Sequence, residues 1–409
     1  MKSVVITGCG VVSPLGVTRQ ELFQRLLAGE CALKAMPDWK VNGSTGEIIA
    51  AQCLLQQDAI RSLDRKLRRS MAPVALFAAL AAKDAVAEAG LSAEFLSSGD
   101  VGCAIGSTLG SPSAIAESFR IFDSIGLDAL PAQQFFKSVS HTAAFNVTNL
   151  LALKGETLAP CSACASGLQA IGIAYDQIRL GRQTAMIAGG ADEATPAVYA
   201  TFEQLFALAH PADGLAPKQI QRPFDKDRTG LAISEGAGIF LLEEKEHALN
   251  RGANILMEIR GFATNSSGAQ TSQSDADAIS KCLSNALSDA SLSASDIDYI
   301  SAHATGTRQG DAAEAEAIRR IFGAAVPISS LKGQLGHTLG ASGPIELAAT
   351  LEMARTSTLL PTANLLNVDE ECAAIDHLTA PRNRRPQNIV KDCFAFGGIN
   401  TVLVGEIPF

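Results

Sequence analysis

A cysteine, two histidines and a lysine are placed along the chain so that folding could combine them into thiol chemistry. Cys164 follows the polar, turn-like segment APCSA and opens a predicted helix over 164–180. A helix N-terminus carries partial positive charge and unpaired N–H groups. Both favour a thiolate, and the N–H groups can also hold a developing oxyanion. A single cysteine served by distant histidines is the expected arrangement for thiol nucleophilic catalysis. His303 and Lys332 each end a short apolar run, and His337 lies just beyond Lys332 in the Gly-rich stretch LKGQLGHTLGASG.

Competing readings attach to the same residues. Cys161-Ser-Ala-Cys164 is a C-x-x-C, which suits a zinc site or a redox dithiol. Zinc would need two more ligands, and no second C-x-x-C or His pair supplies them. A thioredoxin-like redox unit is much smaller than this chain. A lone Lys332 would read as a surface lysine, but its place after a buried strand and inside a glycine-rich turn is unusual for one. His141, His210, His247 and His377 read as structural or solvated.

The flanking elements explain how the four residues would meet. Predicted strands 298–303 and 326–331 enclose a helix over 311–323, a βαβ unit whose strands should be parallel neighbours. Their C-terminal ends then share one sheet edge, where ligands bind in α/β proteins. Helix 164–180 places Leu168, Ile171, Tyr175 and Ile178 on one face, with Arg179 in its last turn and Gly181 just past its end. The runs VVITGCGVV, DVGCAIGS, TAMIAGG, GIFLLEE, MEIRGFAT, KDCFAF and NTVLVGEI read as further strands. Segments 18–28 and 275–290 and GPIELAATLEMAR read as helices. Residues 64–90 open with the basic cluster DRKLRR and continue as a long Ala-rich helix, APVALFAALAAKDAVAEAG, with Gly90 as its stop. Gly8-Cys9-Gly10 invites a dinucleotide-binding reading, but Ser13 stands where a third glycine is needed and no acid-terminated second strand follows. A tight turn is the preferred reading. The alternation predicts an α/β fold, with residues 1–250 carrying the nucleophile and 251–409 carrying the His/Lys/His set.

Bulk composition agrees. With 47% hydrophobic and only 5% aromatic residues, the 409-residue chain suits tightly packed helix-on-sheet layers rather than a β-sandwich. A net charge of −9 argues against bulk attraction to nucleic acid or to an anionic membrane. Nine irregularly spaced cysteines do not form a disulfide framework. With no apolar run of spanning length and no signal-peptide pattern, a cytoplasmic protein is expected.

The motifs in order resemble the β-ketoacyl-acyl-carrier-protein synthases, elongating condensing enzymes of the thiolase superfamily. The carriers of the resemblance are VVITGCGVVSPLG, SACASG, RPFDKDRTGLAISEGAGIFLLEE, HATGTRQGDAAE, SSLKGQLGHTLGASGPIE and FAFGGIN, and it covers essentially the whole chain. It implies a thiolase fold, two similar halves layered αβαβα, and a homodimer or a heterodimer with a related subunit. It also implies an acyl group on Cys164, delivered from carrier-protein phosphopantetheine. Decarboxylation of malonyl carrier protein would then be assisted by His303 and His337. The N–H groups of Cys164 and Phe396 would form the oxyanion hole. Thr305 and Thr307 match threonines that bind the pantetheine arm, and Phe396 matches a gating phenylalanine. Leu109 falls where the family sets acyl-pocket depth, and Lys332 is expected to pair with Glu346. Arg65, Lys66, Arg68 and Arg69 match a basic carrier-protein docking patch. No metal or organic cofactor is implied, because decarboxylation generates its own carbanion and needs only donors and an oxyanion hole.

Four positions depart from the family pattern. Ala304 replaces the Gly of H-G-T, Ala395 the middle Gly of F-G-F and Ile399 the Thr of G-G-T-N, and Cys161 is unusual three residues before the nucleophile. The F-A-F-G-G form resembles secondary-metabolite condensing enzymes such as those of aryl-polyene or type II polyketide pathways. A biosynthetic thiolase, using Cys393 as its second cysteine, and a non-catalytic partner subunit are the alternatives.

Overall fold

The computed structural model describes residues 1–43, 46–211, 214–268 and 273–408. The first half contributes strands β1 (Val4–Val12), β2 (Val101–Gly106), β3 (Thr157–Leu158), β4 (Ala185–Asp192) and β5 (Gly236–Glu244). Their order is β1-β5-β4-β2-β3, antiparallel as far as β4 and parallel beyond it. The second half contributes β6 (Met257–Ser266), β7 (Tyr299–Ser301), β8 (Pro327–Ser329), β9 (Asp376–His377), β10 (Asn388–Ala395) and β11 (Ile399–Glu406). Their order, β6-β11-β10-β7-β8-β9, repeats the same antiparallel-then-parallel pattern and adds β9 at the edge. The halves join where Val4–Ile6 of β1 pair with Met257–Ile259 of β6.

Helices α1 (Arg19–Leu27), α2 (Arg65–Arg68), α3 (Pro73–Ala89), α4 (Pro112–Ser124), α5 (Gln133–Ser138) and α6 (Thr142–Leu150) belong to the first half, followed by α7 (Ser166–Arg179). The second half adds α8 (Ala276–Ala290), α9 (Arg308–Phe322), α10 (Lys332–Leu335) and α11 (Ser342–Thr356). Helix α3 packs on β1, β5 and β4 and on α6, forming one outer layer. Helix α8 packs on β6 and β11 and on α9, forming the other. Helices α7 and α11 each touch strands of both halves and form the middle layer. The result is the five-layered αβαβα arrangement of a thiolase fold. Ile239 and Leu241 of β5 face the α3 core while Phe240 and Leu242 face the α7/α11 core. A strand buried on both faces reads as one continuous apolar run, which is why GIFLLEE was legible.

One expectation holds and one is corrected. The Ala-rich helix forms as α3 and stops at Gly90 (φ 68°), with the basic cluster before it on the separate short α2. Pro73 lacks an N–H and forces Ala72 out of the helical region (φ −93°, ψ 174°). Gly8 and Gly10 lie inside β1 rather than in a turn. A Cβ on either would run into the Ala85 or Ala81 carbonyl of α3, so these glycines permit close strand–helix approach.

Candidate active site

Cys164 precedes α7 and is buried, with Ala163 before it in the left-handed region (φ 46°). The helix itself begins at Ser166, so the thiol sits at the approach to the helix rather than on its first turn. His303 and Ala304 leave the end of β7, and α10 begins with Lys332 just after β8. The expected parallel neighbours are present, with Ile328 opposite Ile300.

Folding brings Cys164, His303 and His337 together. Cys164 Sγ lies 3.0 Å from His337 Nε2, and His337 Nδ1 lies 2.9 Å from Ser342 Oγ. The imidazoles of His303 and His337 meet edge to face, with centroids 5.3 Å apart. All three residues line one cavity together with Thr305, Thr307, Phe394 and Phe396. Thr305 and Thr307 hydroxyls are 3.0 Å apart, and the Phe396 ring packs on Phe202 at 6.0 Å. Lys332 does not line the cavity; its Nζ is buried 2.6 Å from Glu346 Oε1.

Burial governs the electrostatics. It pushes the Cys164 thiol up to about 12, with Cys393 and Asp192 adding to the rise and Lys332 opposing it. The N-terminal position therefore does not yield a resting thiolate, because desolvation outweighs it. His303 and His337 are held well below the usual imidazole range, first by burial and then by the Lys332 ammonium. The resting site is thus a neutral thiol beside two neutral imidazoles.

Sequence reasoning missed the supports. Glu314 and Asp392 both accept from the His303 N–H at 2.8 Å, and Glu314 also accepts from the Ala304 N–H at 2.7 Å. Asp311 accepts from the N–H groups of Thr305, Gly306 and Phe224. Asp192 holds the Thr108 and Gly340 N–H groups. Lys391 reaches the other Glu346 oxygen at 2.7 Å. Signals were present in the charged pair Lys391-Asp392 inside an otherwise apolar strand and in the acids Asp311 and Glu314 that close the HATGTRQGDAAE motif. Neither Ala304 nor Ala395 has a left-handed φ, so these two departures from glycine are sterically undemanding.

The remaining predicted site residues fall elsewhere. Leu109 is 46% exposed and does not line the cavity. The preceding Ser107 hydroxyl and Thr108 N–H are both anchored on Asp192. Arg65, Lys66 and Arg69 are exposed on α2 and its end, while Arg68 folds back onto the Leu63 carbonyl at 3.0 Å. Among the described residues, the ion pairs include none of these four. The remaining histidines are occupied away from the site: His247 meets Glu243, His210 meets Glu203, His377 meets the Cys372 carbonyl and His141 packs on Phe145. All nine cysteines are free thiols.

Known proteins share this fold. The family model for the N-terminal domain of beta-ketoacyl synthases matches residues 1–248, and that for the C-terminal domain matches residues 256–366. The chain belongs to the beta-ketoacyl synthase family. The family is one of acyltransferase-class condensing enzymes. The chain is 33% identical to the Escherichia coli K12 3-oxoacyl-[acyl-carrier-protein] synthase 1, over 99% of this chain and 98% of the relative. It superposes on a crystal structure of a beta-ketoacyl synthase from Burkholderia phymatum STM815 with a TM-score of 0.95, at 41% identity over the whole of both chains. A type II polyketide ketosynthase, solved in complex with its acyl-carrier protein, matches with a TM-score of 0.90 at 29% identity over the whole of both chains. Among the described residues no helix is long and apolar enough to cross a membrane.

Proposed function

We propose that this synthase joins an acyl group to a malonyl unit by decarboxylative Claisen condensation, with Cys164 as nucleophile. The observation that carries the reading is the 3.0 Å contact between Cys164 Sγ and His337 Nε2 in a cavity shared with His303. In the first step the thiol proton passes to His337 Nε2 and sulfur attacks the thioester carbonyl of an acyl carrier protein. The C–S bond to the pantetheine breaks, and the leaving thiolate takes that proton. In the second step the bond from malonyl carbon to carboxylate breaks and carbon dioxide leaves. The electron pair becomes an enolate whose oxygen accepts hydrogen bonds from His303 and His337. The carbanion attacks the acyl carbonyl, a C–C bond forms, and Cys164 departs as a thiolate and takes up one proton. The N–H groups of Cys164 and Phe396 hold the oxyanion in both additions.

Several features support these roles. The Ser342 hydroxyl can accept from or donate to His337 Nδ1, so that ring can serve as acceptor before acylation and as donor after it. His303 Nδ1 is buried without a partner, which suits a bare lone pair there and leaves Nε2 to carry the hydrogen. Thr305, Thr307 and Phe396 line the same cavity, which supports pantetheine binding by the threonines and gating by Phe396. Lys332, neutralised by Glu346, orders the site rather than acting as a free base. The chemistry as written needs no metal or organic cofactor.

For partners, the exposed Arg65, Lys66 and Arg69 favour docking of an acidic carrier protein. The exposed apolar residues Phe119, Phe122, Ile125, Leu127 and Phe135 on and beside α4 and α5 favour a second copy or a related subunit there. Nine free thiols fit a cytoplasmic setting. Cys393, the second cysteine a thiolase would use, is buried off the cavity, which disfavours that alternative. The test supplies purified chain alone with acyl and malonyl carrier protein. Release of carbon dioxide, a 3-oxoacyl product and an acyl mass increment on Cys164 are expected. A need for a second subunit would establish the partner-subunit reading instead.

A further inference from the structure

Strand β10 carries a lysine and an aspartate where the sheet is buried on both faces, and neither belongs to the reacting set. Lys391 is fully buried. Its Nζ lies 3.0 Å from the Ser301 carbonyl, 3.3 Å from the Ala302 carbonyl and 2.7 Å from Glu346 Oε2. The other Glu346 oxygen belongs to Lys332.

Ladder register explains what this arrangement does. Strands β10 and β7 pair in parallel as far as Lys391 opposite Ser301, and there the pairing stops. The chain must leave the ladder at that point for His303 to reach the cavity. Leaving it would strand backbone polar groups in the interior, a costly condition. The side chains of two successive residues take over from the backbone. Lys391 donates to the carbonyls of residues 301 and 302, and Asp392 accepts from the His303 N–H at 2.8 Å. The main chain entering His303 is therefore gripped from one strand on its carbonyl side and its N–H side.

Charge adds a second role. Two ammonium groups, Lys332 and Lys391, share the Glu346 carboxylate, and the Asp392 carboxylate also acts on both. The groups facing Lys391 include Glu346, Asp392, Cys393, Tyr299 and Glu314, with Lys332 across the shared Glu346 and His303 and His337 beyond. Burial, the largest single influence, works against the Lys391 ammonium, and Glu346, Cys393 and Asp392 together outweigh it, so its pKa is raised. Burial, then Lys332, then Lys391 act in the same direction on His337, and His303 feels both lysines too. A neutral imidazole has a lone pair to accept with and an N–H to give. A positive charge nearby also favours the enolate that forms.

We propose that Lys391 is a positioning residue for the decarboxylation half-reaction, a buried cation that fixes the approach to His303. The inference rests on the condensing activity proposed above. The direct contacts of Lys391 are with the approach to His303 and with Glu346 and none is with Cys164, so the malonyl step should suffer more than acylation, which Lys391 touches only through its charge.

The experiment follows acyl transfer to Cys164 by intact mass, and malonyl carrier-protein decarboxylation by carbon dioxide release, each across pH. Wild type is run in parallel, and an inactive wild type would remove the proposed function itself. Lys391→Met keeps the chain length and removes charge and donors. It is expected to slow decarboxylation by roughly thirtyfold, within the hundredfold that a small misplacement can cost. Acylation should stay within about threefold of wild type, a smaller effect than that misplacement. Losing a nearby cation raises the histidine pKa values, so the acid limb of decarboxylation should move to higher pH. Lys391→Ala should regain part of its rate with added ethylammonium, which can place a cation in the vacated space. Lys391→Arg provides a variant that keeps the charge while changing its reach: the acid limb should stay put while the rate falls. Decarboxylation equal to wild type in folded Lys391→Met would overturn the proposal. So would equal loss in both half-reactions with no shift of the acid limb and no response to the amine, which would mark Lys391 as merely structural.

Discussion

The two middle-layer helices start with nearly the same four residues, Cys164-Ala-Ser-Gly167 before α7 and Gly340-Ala-Ser-Gly343 before α11. In each, the serine ties down its own entry turn. Ser166 accepts from the Ser162 N–H at 2.8 Å, and Ser342 meets the Thr338 hydroxyl at 3.1 Å. The helices enter the same crowded space. A Cβ on Gly167 would press on the Gly340 carbonyl and lie 2.7 Å from Pro344 Cγ. A Cβ on Gly340 would lie 2.7 Å from Asp192 Oδ2 and 3.3 Å from Ser166 Cβ. The packing frame is thus common to both starts, but only one has room for a side chain at its first position. That room holds the thiol. At the other start a glycine N–H donates to Asp192 at 2.7 Å, and the serine serves the His337 ring instead. The lesson is that one half supplies the nucleophile while its counterpart supplies the proton handling.

The largest effect should come from erasing the difference. Cys164→Ala makes the first start nearly as small as the second and should abolish acyl-enzyme formation, read as the absence of an acyl mass increment. Cys161→Ala, exposed and only 3.4 Å from the Thr108 carbonyl, should retain most activity. Equal losses at both cysteines would break the assignment of the nucleophile.

On the other side of the comparison, His303→Ala and His337→Ala should each slow malonyl decarboxylation by roughly a hundredfold or more, the scale of one lost oxyanion donor. The same reading fixes a pH response. Both imidazoles are held well below 6.5, so both remain neutral as pH falls through that value. Wild-type decarboxylation should show no loss near pH 6.5, with its acid limb lying lower. The depressed histidines contribute stability that is present above 6.5 and lost as pH falls through their folded values. A rate that halves at pH 6.5 would contradict their neutrality.

Gly340→Ala tests the shared frame. Overpacking at the crossing should cost about 1–3 kcal/mol in denaturant unfolding, with a fall in activity as Asp192 and Ser166 shift. Unchanged stability would show that the crossing is looser than its contacts indicate.

The smallest effect lies outside both starts. Lys66→Glu with Arg69→Glu should slow use of carrier-protein substrates by roughly tenfold at low salt and flatten their salt dependence. Turnover of a small soluble thioester mimic should stay near wild type. An equal loss with both substrates would point to misfolding, and no loss with either would remove the patch from docking.

What the sequence determined by itself was local. Apolar runs buried on both faces marked the strands, glycine and proline punctuated the helices, and the βαβ spacing placed His303 and Lys332 on one sheet edge. The motifs around Cys164, His303 and His337 identified the chemistry because each sits at an element end, where backbone geometry follows from nearby residues. Tertiary structure alone decided the rest. Glu314, Asp392 and Lys391 hold the approach to His303 from distant positions, and no spacing rule says which buried charge will meet which orphaned N–H or carbonyl. The neutral Cys164 thiol is equally non-local, since the helix-start field is fixed by sequence while the desolvation that overrides it depends on everything packed around the sulfur. The outward Leu109 follows the same logic: the two residues before it are anchored on Asp192, from the end of a different strand.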